Sequence, residues 1–136
     1  MPFVVDASVA LAWHFPDEET ALTAALIERS LHDTMVVPQH WFAEVANGML
    51  VGERRKRATL SQSSDFIAWI ASCILETDIA DAGTMFATVL PLARAHRLTI
   101  YDAIYLELAE RRGLPLATLD GDLAAAARLA GVELLA

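Results

Sequence analysis

"FVVDASVALAWHF", residues 3–15, decides how the chain is read. A short β-branched run, Phe3-Val4-Val5, ends in the acid Asp6, and an apolar stretch of helical character follows as far as Pro16. The run reads as a strand buried on both faces, of the kind found in parallel sheets. The helix after it must stop before Pro16, because the residue preceding a proline is pushed out of the helical region.

The same alternation continues outward from this unit. "DEETALTAALIERSL", residues 17–31, opens with acids that suit a helix N-terminus and carries apolar residues at helical spacing. "TMVVP" reads as a second short strand closed by Pro38. A long helix is expected from His40 to Arg57, and another from Ser61 to Ile74 with Ser61 as its N-cap. "LETDI" is a short strand or an extended connection. Residues 80–96 read as helix, with Pro91 forcing a kink or break. A helix from Asp102 to Arg112 follows, with Gly113 at its C-terminal cap and Pro115 barring continuation. "PLATLD" is a strand ending in an acid, "DLAAAARLA" a short helix stopped by Gly131, and "VELL" a last strand. Strands alternating with helices predict an α/β fold with a mostly parallel sheet of four or five short strands.

The 136 residues suffice for one compact domain, 1–136, and a hydrophobic fraction of 55% argues against disorder. The formal charge of −8 excludes broad electrostatic affinity for nucleic acid, though not a nucleic-acid enzyme that recruits cations. Cys73 is the single cysteine, so no intrachain disulfide forms. No signal peptide or transmembrane segment is evident. The expectation is a soluble, cytoplasmic protein.

Ligands of parallel sheets bind at the carboxyl ends of the strands. Asp6 and Asp120 end two of the expected strands, and Asp102 begins a helix after an extended stretch. Glu44 stands one turn into the helix that follows the second strand, on a face shared with Trp41, Gly48 and Val51. Asp102 shares its face with Leu106 and Ala109, while Glu107, Glu110 and Arg111 form a polar stripe pointing elsewhere. Four carboxylates in one crevice repel one another and lose hydration. A hard divalent cation such as Mg²⁺ or Mn²⁺ relieves both costs. It can also activate water for phosphodiester cleavage. Each acid has a plainer reading too: Asp102 as a charge favoured at a helix N-terminus, Asp120 and Asp122 as turn and N-cap residues. Glu44, among apolar neighbours, is harder to explain that way.

At these residues the chain resembles the PIN-domain family, and within it the VapC-type toxins of toxin–antitoxin pairs. "VVDASVALAWHFPDE" resembles the family's opening strand with its Asp-x-Ser, "VPQHWFAEVANGML" its Glu-Val-x-Asn helix, and "LTIYDAIYLELAERRGLPLATLDGDL" its Tyr-Asp-Ala…Thr-x-Asp ending. The resemblance implies a PIN-like three-layer α/β/α fold and a Mg²⁺- or Mn²⁺-dependent endoribonuclease leaving a 5′-phosphate and a 3′-hydroxyl. It also implies a homodimer held by a cognate VapB-like antitoxin. Asp6, Glu44, Asp102 and Asp120 would form the acidic, metal-binding site. Ser8 and Thr118 match positions that support it by hydrogen bonding, and Asp122 would add a further contact. Asn47, three residues after Glu44, would orient that acid or a substrate phosphate, or serve as an interhelix hydrogen bond.

Other features are read more plainly. "ERRKR", residues 53–57, holds four of the ten basic residues and is either a solvated helix end or a contact for RNA phosphates or an acidic partner. Trp13, Trp41 and Trp69 read as core rather than as base-stacking platforms. His14, His32, His40 and His96 lack metal-ligand spacing and read as surface or capping residues. Cys73 reads as a buried, inert thiol in an apolar helix. An exposed apolar groove near Trp13 or Phe15 is expected to take the antitoxin. Two other functions compete: a phosphatase forming an aspartyl-phosphate at Asp6, and a PIN-fold interaction module without activity. The first wants a second Asp two positions on and a nearby lysine, where this chain has Ser8 and only Lys56.

Overall fold

The computed structural model describes residues 1–135; Ala136, the last residue of the expected domain, lies outside them. The elements are β1 (Phe3–Val5), α1 (Ala7–His14), α2 (Ala21–Ser30), β2 (Met35–Pro38), α3 (Trp41–Arg54), α4 (Leu60–Ser72) and β3 (Leu75–Asp78). There follow α5 (Ala82–Thr84), a π-helical turn (Met85–Val89), α6 (Leu90–His96), α7 (Ile100–Arg112), β4 (Leu116–Ala117) and α8 (Gly121–Ala130).

The four strands form one parallel sheet in the order β3-β2-β1-β4. Val4 stands opposite both Val36 and Leu116, so β1 is paired on both edges. The chain steps one way across the sheet from β1 to β3, then returns past β1 to lay down β4. Right-handed crossovers put the outward and returning connections on opposite faces. Accordingly α1 packs with α2, α3 and α4, while α7 covers β1, β2 and β4. This is the three-layer α/β/α arrangement. The direction of winding reverses between β1 and β4, and a crevice opens there at the carboxyl ends of the strands.

Phe3, Val4, Val5, Val36, Leu116 and Ala117 are fully buried, as strands covered on both faces require. Trp41 and Leu106 close the core from α3 and α7. Trp41 is core, as expected, whereas Trp13 and Trp69 are half-buried and meet edge to face with ring centroids 5.4 Å apart. α1 and α3 approach closely because Gly48 and Gly52 lack a Cβ. A methyl group there would overlap the Leu11 and Phe15 side chains respectively.

Several boundaries differ from expectation. Asp17 and Glu18 lie in a 3₁₀ turn, Pro16–Glu18, and α2 begins only at Ala21, where Thr20 and Thr23 form a reciprocal cap. Pro16 supplies a φ ready for that turn, and Thr20 offers the better capping oxygen. Thr59, not Ser61, caps α4, since Gln62 three residues on completes its capping box. Pro91 does not break the helical run over 82–96. The turn before it widens instead, with the Leu90 N–H bonded to the Met85 carbonyl. β4 is only two residues long, and "VELL" adds a lone bridge, Leu116 to Leu134, rather than a fifth strand. Asp120 therefore does not end a strand: it caps α8.

Glu107 is not part of an outward polar stripe. It is 4% exposed and is paid for by Arg111, whose Nε lies 2.7 Å from Glu107 Oε1 and whose Nη2 lies 2.6 Å from Asp78. His14 is buried against Phe66, ring centroids 4.6 Å apart, rather than on the surface. Cys73 is half-buried at the C-cap of α4, not inside the helix, and burial raises its thiol pKa.

Candidate active site

The first turn of α1 builds the site's centre. Asp6 follows β1 directly and caps α1, its Oδ1 accepting the Val9 N–H at 3.3 Å. The same oxygen accepts the Ser8 hydroxyl, and Oδ2 accepts the hydroxyl of Thr118, which follows β4. Those two hydroxyls are themselves held: Ser8 Oγ accepts the Leu119 N–H at 3.0 Å, and Thr118 Oγ1 accepts the Asp120 N–H at 3.0 Å. Asp6 is only 4% exposed. Burial outweighs its hydrogen bonds and pushes its carboxyl up to about 6, with the Asp102 charge adding to the rise.

Asp102 lies in the first turn of α7, which is capped by Thr99. Its backbone N–H donates to Thr99 Oγ1 at 3.1 Å. Its carboxyl is raised by burial and then by the charges of Asp120 and Glu44. Asp120 reaches this neighbourhood as the cap of α8, accepting the Leu123 N–H at 2.9 Å. Glu44 projects from α3 and accepts the Tyr105 hydroxyl at 2.7 Å. His40 Nε2 lies 3.0 Å from the same Oε1. Burial works to raise the Glu44 carboxyl, but His40 beside it and the Tyr105 hydroxyl prevail and hold it below its usual range.

The structure thus brings Asp6, Glu44, Asp102 and Asp120 to one end of the sheet, with Ser8 and Thr118 against Asp6. Asn47 and Asp122 are exposed and neither side chain hydrogen bonds to an acid among the described residues, but Asn47 lines a groove together with Ser8 and Leu119. The four acids do not close into a ready coordination shell. Among the described residues no three Asp, Glu, His or Cys side chains are grouped tightly enough to hold a metal ion. The donor set nevertheless fits a hard divalent cation, being all oxygen and electrostatically crowded at Asp102.

Comparison with known proteins agrees with this geometry. A family model described as the PIN domain matches residues 3–129. The chain belongs to the PIN-domain family. It is 32% identical over 126 residues to Ribonuclease VapC3 of Pyrobaculum aerophilum, covering 91% of this chain and 93% of that protein. The PIN domain also superposes on the crystal structure of PAE2754 from Pyrobaculum aerophilum (TM-score 0.71, 24% identity, 99% of this chain and 84% of the other). It superposes too on that of VapBC2 from Rickettsia felis bound to a fragment of its promoter DNA (TM-score 0.66, 14% identity, 98% and 97%). This PIN domain is therefore a homologue of a VapC ribonuclease, and it shares its fold with VapBC2. No helix among the described residues is long and apolar enough to cross a membrane.

Two site residues escaped the sequence reading. Tyr105 was legible only as a phenol in an apolar helix, which needs a partner when buried. His40 stands four residues before Glu44, the spacing of neighbours on a helix face. The phosphatase alternative finds no footing at Asp6. Ser8 stands where a second aspartate is wanted, and Lys56 is exposed beyond the end of α3.

Proposed function

We propose that this PIN domain is an endoribonuclease toxin that uses Mg²⁺ or Mn²⁺ to hydrolyse RNA phosphodiesters. The observation that carries the reading is the convergence of four acids from four elements at the sheet's carboxyl end: Asp6 at the cap of α1, Glu44 on α3, Asp102 in the first turn of α7 and Asp120 at the cap of α8. Asp6, Glu44, Asp102 and Asp120 would hold the cation. When bound, such an ion lowers the pKa of a water and offsets charge on the phosphate. Ser8 and Thr118 fix the orientation of Asp6, and cleavage leaves a 5′-phosphate and a 3′-hydroxyl.

A groove of about 410 Å³ runs from Ser8 and Leu119 between α1 and α3 to Arg55 and Arg57. We assign it to the RNA backbone. Arg57 is already taken: it lies 2.7 Å from Glu18 and 4.0 Å above the Phe15 ring. Arg55 has no ion-pair partner among the described residues and is the cation available to a phosphate. Of the two residues expected at an apolar groove, Phe15 is 2% exposed beneath Arg57, whereas Trp13 lines a groove of about 390 Å³ with Phe66 and Trp69. The more apolar groove, also about 410 Å³, lies between α3 and α4 at Phe42, Leu50 and Ile67. A VapB-like antitoxin, as in the VapBC complex this fold resembles, and a second copy of the chain are the proposed protein partners.

The test is cleavage of a defined RNA with Mg²⁺ or Mn²⁺ and with chelator, by the chain and by Asp102→Asn. Metal-dependent cleavage that the variant lacks is the expected result. Full cleavage after verified metal removal overturns the metal reading. Failure of the small protein encoded next to this chain to co-purify or suppress toxicity overturns the toxin assignment.

A further inference from the structure

Glu44 is held in a way that neither helix stability nor simple charge crowding calls for. Its Oε1 accepts the Tyr105 hydroxyl at 2.7 Å and also faces His40 Nε2 at 3.0 Å. Tyr105 is 1% exposed and stands one turn after Asp102 on α7, so its hydroxyl crosses from the helix of one acid to the helix of another. Burial and the neighbouring carboxylate keep that phenol protonated, so it remains a donor. His40 precedes α3, one turn before Glu44, and its ring is wedged against Tyr101 and Tyr105 with centroids 5.6 and 5.1 Å away. Its Nε2 is buried and has no aligned hydrogen bond among the described residues, which leaves Oε1 as the polar atom it faces. The Tyr105 hydroxyl and the His40 ring nitrogen thus both lie against one carboxylate oxygen, and Oε2 accepts no hydrogen bond among the described residues.

We infer that Tyr105 and His40 are positioning residues that fix Glu44 through Oε1 and reserve Oε2 for a cation. The inference rests on the metal-dependent reading proposed above. Outer partners of this kind orient a ligand and sharpen its affinity, and their loss typically weakens metal binding about 10- to 100-fold. Neither residue touches the reacting atoms.

The experiment is calorimetric titration of Mn²⁺ into the full chain and into Tyr105→Phe and His40→Gln. Each variant should bind Mn²⁺ about tenfold more weakly. Cleavage should show the same rise in the Mn²⁺ concentration needed, with the saturated rate recovered. Tyr101→Phe is the control: Tyr101 also lies against the His40 ring, but it is 60% exposed and makes no bond to Glu44, so binding should not change. In a Glu44→Gln background, Tyr105→Phe should add no further loss. Unchanged Mn²⁺ affinity in both variants overturns the inference while leaving the metal site standing. An equal loss with and without Glu44 also overturns it, because Tyr105 would then act through packing. A wild-type chain that binds no Mn²⁺ removes the metal reading itself and the inference with it. Should Tyr105→Phe fail to fold, His40→Gln, at a partly exposed position, decides the matter alone.

Discussion

Asp6→Asn should reverse its effect on stability with pH in the metal-free protein. In the native state the Asp6 carboxyl titrates at about 6 rather than 3.8. A group whose folded pKa is raised favours the folded state below its unfolded pKa. That advantage disappears as pH climbs through the folded value. At about 1.4 kcal/mol per pH unit, the interval is worth about 3 kcal/mol, lost between about pH 4 and pH 6. Asparagine does not titrate, so the variant escapes this loss. It has a cost of its own: with its amide NH₂ facing Thr118, the Thr118 hydroxyl loses its acceptor, a penalty of about 1 kcal/mol. The variant should therefore be about 1 kcal/mol less stable than wild type at pH 4 and about 2 kcal/mol more stable at pH 7.5. For 136 residues the unfolding entropy is about 0.3 kcal/mol per degree, so the relative Tm should swing by about 10 °C. Thermal melting of both proteins in chelator at several pH values measures this. The groups common to both proteins largely cancel in the difference. Parallel curves from pH 4 to pH 7.5 would refute the claim that burial, rather than the bonds from Ser8 and Thr118, governs this acid.

Asp102→Asn in chelator should be neutral or stabilising by about 1 kcal/mol at pH 7.5, because it relieves the repulsion from Asp120 and Glu44. Its Tm should rise much less with Mn²⁺ than that of wild type, as binding linkage requires. Gly52→Ala should destabilise by about 1–3 kcal/mol in urea unfolding, since the added methyl group meets the buried Phe15 ring. Arg55→Ala should weaken RNA binding and lower the salt dependence of log K by about one, whereas Lys56→Ala, outside the groove, should leave cleavage of a short RNA unchanged.

The fold was legible because β1 and β2 are short apolar runs, closed by Asp6 and Pro38, and because Gly113 and Gly131 stop two of the helices; those signals are local. "FVVD" needed no partner to be recognised, and Asp6 and Asp102 followed from where β1 had to stop and α7 had to start, whereas Asp120 was found for the wrong reason, as a strand end rather than a helix cap. The four acids came from topology plus resemblance, and their charge coupling in the structure is consistent with both. What stayed hidden depends on distance in space. The Tyr105–Glu44 bond joins residues 61 apart, and nothing within one helix announces it. Glu107 read as part of a polar stripe because nothing in the helix shows that Arg111, its partner one turn on, is also held by Asp78, 33 residues away at the end of β3. His14 read as surface because a lone histidine in a short helix gives no sign that Phe66 will cover it. The misplaced start of α2 had a different cause: the acids at 17–19 suited a helix N-terminus, but the capping box at Thr20 sets the start.

The bond from Thr118 to Asp6 closes a loop of 112 residues. β4 pairs with β1, and only then do Thr118 and Leu119 meet the turn that carries Asp6 and Ser8. During synthesis Asp6 leaves the ribosome 112 residues ahead of Thr118, so the acid waits for its surroundings until β4 has followed it. A chain interrupted anywhere between the two carries Asp6 without the Thr118 hydroxyl that grips it or the Leu119 N–H that holds Ser8 in place.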